Sequence, residues 1–201
     1  MGASTRSLIK ENKKKETPLR DTKQEVLSFW FDEIEPAQWF QKNESFDAEI
    51  KERFLTTYNM ARKDLCSDWT RDADGVLSLC LVLDQFPRNM FRDTPKAFET
   101  DSKILLTVKE ALHKGFDTVL TPKKRRFFYM PFMHSENLAD QKRSVELFKT
   151  MSKEDPLSYE YAQKHYEVIE KFGRFPHRND ILGRESSEEE KEYLKLPGAG
   201  F

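Results

Sequence analysis

From Thr22 onward, apolar side chains recur along the chain at helical spacing. Thr22 stands where an N-cap would precede a helix carrying Val26, Phe29, Trp30 and Phe31. Pro36 opens a short turn that presents Trp39 and Phe40. Phe46, Ile50, Phe54, Tyr58, Ala61 and Leu65 follow at steps of three or four residues, one stripe of a long amphipathic helix. Val76 to Leu83 (VLSLCLVL) is apolar all round, and its helical neighbours assign it to a central buried helix. Pro87 is expected to stop that helix by forcing Phe86 extended. Thr94-Pro95 has the order of an N-cap followed by proline at the first helical position, for a helix through Ile104, Leu105, Val108 and Leu112 to Gly115. Thr121-Pro122 repeats that signal. Two more helices are expected over about 137–151 and 156–172, the second closed by Gly173, and Ser186 with Glu189 fits a capping box for a last short one.

No sustained alternation of apolar and polar residues appears, and no hairpin turn joins two such runs, so the chain reads as all-α. One internal echo is visible. Phe86-Pro87-Arg88-Asn89 and Phe175-Pro176-His177-Arg178-Asn179 each pair a helix-stopping proline with a cation and an amide, which points to stacked antiparallel helix pairs.

A length of 201 residues suits a single domain, and 12% aromatic residues are too many for a disordered chain. Residues 1–20 differ from the rest. Arg6, Lys10, Lys13, Lys14, Lys15 and Arg20 outweigh Glu11 and Glu16 with little to bury, so this stretch reads as a solvated, disordered basic tail ahead of a helical domain over 22–201. The balance of 34 Lys+Arg against 35 Asp+Glu removes whole-chain attraction to nucleic acid, and no nucleic-acid partner is expected. No apolar run approaches the about twenty residues of a membrane span, so neither a span nor a secretory signal is expected. Cys66 and Cys80 suit a reducing compartment, so a cytoplasmic location is expected.

The chain has no glycine-rich phosphate loop, HExxH, paired CxxC, GxSxG elbow or EF-hand loop. The remaining chemistry sits in four polar clusters embedded in aromatic stretches. Asp84 and Gln85 close the buried helix and need a cation, which Arg88 or Arg92 can supply. His134 lies seven residues beyond Phe127, on the core side, with Glu136 close by. His165 shares the apolar face of Ala162, Ile169 and Phe172. Arg174, His177, Arg178 and Asn179 crowd into one loop with Phe175 and Pro176, the kind of segment in which binding sites sit. His134, Glu136, His165 and His177 match no standard ligand spacing and no cysteine joins them, so neither a metal nor another cofactor is expected.

These segments resemble the domain of unknown function 924 family. The resemblance rests on Phe29-Trp30-Phe31 with Trp39-Phe40, on Leu83 to Arg92, on Tyr129 to Glu136 with Gln141 and Ser144, and on His165 with Phe172 to Asn179. It continues through Leu182-Gly183-Arg184, Glu188-Glu189-Glu190 and the closing Pro197-Gly198-Ala199-Gly200-Phe201. It implies a tetratricopeptide-like, right-handed array of helix pairs and leaves activity open.

The functional expectation is a polar pocket for a small anionic or carboxylate ligand, lined by Arg88, Asn89, His134, Glu136, Arg174, His177 and Arg178. Binding ranks above catalysis because no nucleophile is evident. Should chemistry occur, Glu136 is the candidate base, with His134 or His177 as acid. The alternative is an interaction scaffold whose groove takes a peptide. Phe201 is expected to dock its ring in an apolar niche, with its carboxylate on Arg174, Arg178 or Arg184. Monomer and dimer are not distinguished.

Overall fold

The Thr22 hydroxyl accepts the Glu25 N–H at 3.2 Å while the Glu25 carboxylate accepts the Thr22 N–H at 2.6 Å. This reciprocal box opens α1 (Lys23–Ser28) and satisfies two orphan donors. The computed structural model describes residues 20–200, and all regular structure among the described residues is helical. Residues 1–19 of the basic stretch and Phe201 lie outside the described residues. Arg20, the last residue of that stretch, bonds Asp68 at 2.6 Å and the Leu65 carbonyl at 2.5 Å.

A π-helical turn over Phe29–Glu33 continues α1 and buries Phe29, Trp30 and Phe31 side by side. In α2 (Glu44–Ala61), capped by Asn43, the expected stripe is buried from Phe46 to Ala61. Leu65 does not extend it. Asp64 takes a left-handed φ of 62°, the Leu65 N–H closes on the Met60 carbonyl at 3.0 Å, and Leu65 is 55% exposed.

The all-apolar segment is helical and central, but Pro87 does not end it. Helix α3 (Ala73–Cys80), a π-turn over Leu81–Gln85 and α4 (Phe86–Met90) run without interruption. Phe86 is helical, with φ −57° and ψ −38°. The π-turn lets the Phe86 N–H reach back to Leu81, and Pro87 is the second residue of the next helical piece, within the first turn, where a missing N–H is tolerated. The carbonyl of Leu83, one turn before Pro87, instead accepts the Thr100 hydroxyl at 2.5 Å. Phe175, by contrast, is extended, with φ −88° and ψ 108°. The two Phe-Pro segments are therefore not structural copies.

At the start of α3, Asp72 caps the Gly75 N–H at 2.8 Å. A Cβ on Gly75 would sit 2.1 Å from the Trp69 carbonyl oxygen, so only glycine admits this close approach of the helix to the preceding turn.

Thr94-Pro95 opens a short 3-10 turn, Pro95–Phe98, not the helix itself; α5 (Asp101–His113) starts afresh at Asp101. Gly115 takes a φ of 71° beyond the end of α5. Helices α6 (Pro122–Met133), α7 (Leu138–Lys149) and α8 (Pro156–Phe172) follow, the last ended by Gly173 at φ 68°. The capping box of α9 (Glu188–Leu194) uses Ser187 and Glu190, one residue later than Ser186 and Glu189. Glu190 also pairs with Arg174, which fixes that register.

Helices α1, α5 and α6 pack on α3, α2 packs on α4, and α6, α7 and α8 pack in succession. Trp39 donates its indole N–H to the Trp30 carbonyl at 3.0 Å, and its ring meets Phe127 edge-on at 4.9 Å. Fully buried rings of this kind each contribute roughly 1.5–3 kcal/mol. Trp30, and Phe54 of α2, also pack on Phe86 of the central run, at 5.6 and 4.7 Å, and hold the segment that carries Asp84.

Candidate functional site

Asp84 lies in the π-turn of the central run and is 0% exposed. A carboxylate there must be fully bonded, and it is. His134 Nδ1–H donates to Oδ1 at 2.7 Å and Gln85 Nε2–H to Oδ2 at 2.5 Å, while Arg88 stands 3.3 Å from Oδ1. Burial pushes the Asp84 pKa up, but the Arg88 charge and the hydrogen bonds from His134 and Gln85 overcome it and hold the carboxyl below its usual range. Burial and the Arg88 charge lower the His134 pKa against the pull of Asp84. The dyad is thus a carboxylate with a neutral imidazole whose proton sits on Nδ1.

Arg88 bonds the Asp84 carbonyl at 2.6 Å and takes Asp101 in a two-pronged pair at 2.9 Å per arm. Asp101 is the first residue of α5, where the helix dipole favours a carboxylate. Its second cation, Arg178, is more distant at 3.6 Å. The Arg178 side chain is 8% exposed and makes no side-chain hydrogen bond among the described residues. Its guanidinium lies over the rings of Phe98, at 4.6 Å, and Phe175, at 4.5 Å. Burial and the Arg88 charge bring its pKa down to about 10, in spite of Asp101 and Glu136.

The contacts close on themselves. His134 faces His165 with ring centroids 6.3 Å apart, His165 faces Phe175 at 5.5 Å, and Phe175 returns to Arg178. His177 packs on Phe175 at 5.6 Å. His165 donates Nδ1–H to the Tyr161 carbonyl at 2.8 Å. Burial pushes the His165 pKa down to about 3, and burial with the Arg178 charge brings His177 to about 4. The imidazoles are neutral at physiological pH.

Of the residues singled out in the sequence, Arg88, His134, His177 and Arg178 are brought together. Glu136 borders them but is engaged. It accepts both arms of Arg184, at 2.7 and 2.9 Å, and the Phe175 N–H at 2.8 Å. Arg174 pairs with Glu190 at 2.6 and 2.7 Å, away from the ring. Asn89 turns to Asp47 at 2.8 Å, where Arg92 also binds. Asp101, Phe98 and His165 complete the arrangement without having been assigned to it. Asp101 escapes notice when the helix is started at Thr94, although Thr100-Asp101 directly precedes the apolar Ile104 and Leu105.

No group of three or more His, Cys, Asp and Glu among the described residues is arranged to hold a metal ion. No described helix is long and apolar enough to cross a membrane. The expected docking of Phe201 falls outside the described residues. The segment leading to it runs beside α8, where Leu196 to Ala199 line a surface depression with Lys164, Val168 and Phe172.

An all-helical domain with a buried, aromatic-walled ion cluster is the class these features define. Over residues 26–198 the chain matches the family described as "Bacterial protein of unknown function (DUF924)", and it belongs to that family. It is similar to the solved structure titled "Structure of Protein of Unknown Function ATU0120 from Agrobacterium tumefaciens", at 37% identity and a TM-score of 0.81, over 86% of this chain and 96% of that one. No curated protein matches the chain.

Proposed function

We propose that the ring formed by Asp84, Arg88, Asp101, His134, His165, Phe175 and Arg178 is a binding site for a small monoanion, best a carboxylate. The observation that carries this is Arg178, a nearly buried side chain whose Nε–H has no hydrogen-bond acceptor among the described residues and whose ion pair with Asp101 is long, at 3.6 Å. Unmet donors on a buried cation are costly, and a ligand carboxylate meets two of them at once. Arg88, Arg178, Asp84 and Asp101 already sum to zero charge, which favours a monoanion over a dianion. Binding ranks ahead of catalysis. Glu136 is held by Arg184, which leaves the Asp84–His134 dyad as the acid–base group.

The competing reading is a tetratricopeptide-like scaffold that binds a peptide. It draws on the succession of α6, α7 and α8 and on exposed Leu157 and Tyr161, one turn apart on α8. A peptide groove would spread its arginines in a row. Here Arg88 and Arg178 converge on Asp101, and Arg174 and Arg184 have glutamates of their own, which favours the small ligand.

The test is thermal unfolding with acetate, propionate, phosphate and sulfate, using the full chain and Arg178→Met. A ligand at a hundred times its Kd adds about 2.7 kcal/mol, roughly 5–11 °C for a domain of this size. Carboxylates should raise Tm for the unaltered protein and leave Arg178→Met unmoved. The reading fails if no anion shifts Tm, or if the variant responds equally.

A further inference from the structure

Independently of the anion reading, we propose that the depression beside α8 is the seat of the Phe201 ring, which latches the segment after α9 onto α8. The depression has a volume of about 300 Å³. Val168 and Phe172 of α8 and Tyr193 of α9 give it an apolar floor, and the half-exposed Lys164 and Lys171 stand at its rim. Val168 is 6% exposed and forms, with Ile169 and Phe175, a small core separate from the main one. Phe172 and Tyr193 pack on that core, with ring centroids 5.1 Å apart. So few side chains bury little apolar surface, and one further ring adds substantially to it.

The path of the chain names the occupant. Leu196 to Gly198 are exposed, yet Ala199 is 5% exposed. Gly198 turns the backbone at a φ of 79°, which glycine adopts without strain, and the Ala199 N–H closes on the Leu196 carbonyl at 3.2 Å. This turn brings Ala199 back against α8, where it lines the depression. Phe201 follows two residues later, a reach of about 7 Å at most. An aromatic ring also fits the chemistry of the walls. It packs on Phe172 and Tyr193, and its face attracts ammonium groups, as Phe172 already does for Lys171 at 4.9 Å. Lys164 and Lys171 keep acidic partners, Glu160 at 2.7 Å and Glu189 at 2.9 Å, so the rim does not call for an anion. Arg174 and Arg184 are likewise engaged, by Glu190 and Glu136, and the latch works through the ring.

The test compares the full chain with Phe201→Ala and Phe201→Tyr. Nuclear magnetic resonance with labelled phenylalanine rings and valine methyls should show cross-peaks to Val168 that disappear in Phe201→Ala. The same variant should lose roughly 3–6 °C in Tm. Its backbone hydrogen exchange over 168–173 and 193–199 should rise at least about fivefold, while that of α2 stays unchanged. Phe201→Tyr keeps the ring and should hold Tm within about 2 °C. Absence of the Phe201–Val168 cross-peaks would overturn the proposal, as would a Phe201→Ala variant unchanged in Tm and exchange. Cross-peaks that arise only between differently labelled chains would seat a second copy there and overturn it too.

Discussion

Replacing Arg178 by methionine should leave the protein at least as stable as before, which few substitutions of a buried charged residue do. The guanidinium pKa falls from 12.5 to about 10, chiefly through burial. With the side chain 8% exposed, solvent screens little of this, and the charged form is disfavoured by about 3 kcal/mol. Two ring contacts offset part of that, at about 1 kcal/mol each. Methionine fills a similar space and makes its own sulfur–aromatic contacts with Phe98 and Phe175. The net change should lie between zero and a gain of about 3 kcal/mol, or up to roughly 6–12 °C in Tm. Arg88→Met is the contrasting case, because it strands Asp84 and Asp101, the acceptors Arg88 now serves. Removing one partner of a buried pair costs about 3–5 kcal/mol. Urea unfolding followed by circular dichroism near pH 7, without added carboxylate, phosphate or sulfate, measures both. A loss of more than about 1 kcal/mol in Arg178→Met would refute the reasoning, since it would show the guanidinium to be a satisfied structural partner.

Acid should weaken the fold early. Burial holds His165 near about 3 and His177 near about 4, against an ordinary 6.5, so below pH 6.5 the unfolded chain takes up protons that the folded one refuses. Stability is fully present above about 6.5 and falls as the pH drops towards 3–4, by about 1.4 kcal/mol per histidine between pH 7.5 and 5.5. A urea midpoint that is flat across that window would contradict it. Gly75→Ala forces a Cβ against the Trp69 carbonyl and should cost roughly 1–3 kcal/mol, with a changed Trp fluorescence; an unaltered midpoint would show that the turn yields freely. Thr100→Val leaves the Leu83 carbonyl without its hydroxyl donor and should cost roughly 1–3 kcal/mol in the same assay; no loss would mean that another donor takes over.

Local signals determined the all-helical class and most helix boundaries. Thr22 with Glu25, Asn137 before α7, Gly115 and Gly173 act through backbone groups a few residues away, so their meaning survives without tertiary structure. The same holds for the stripe from Phe46 to Ala61. The inward direction of His134 and His165 was also legible, because helical spacing ties each to apolar neighbours.

Which partner each polar group takes was decided only by the fold. Pro87 reads as a stop, yet it is accommodated because the π-turn shifts the hydrogen-bond register and Thr100, from another element, serves the Leu83 carbonyl. Arg174 and Arg178 are four residues apart in one loop and look alike in sequence. One is satisfied by Glu190 from α9, while the other is left over two rings beside an aspartate that Arg88 has already engaged. Charge pairing depends on distances of a few ångströms between segments far apart in the chain. Helix signals travel along the backbone, and a satisfied or unsatisfied arginine is set across it.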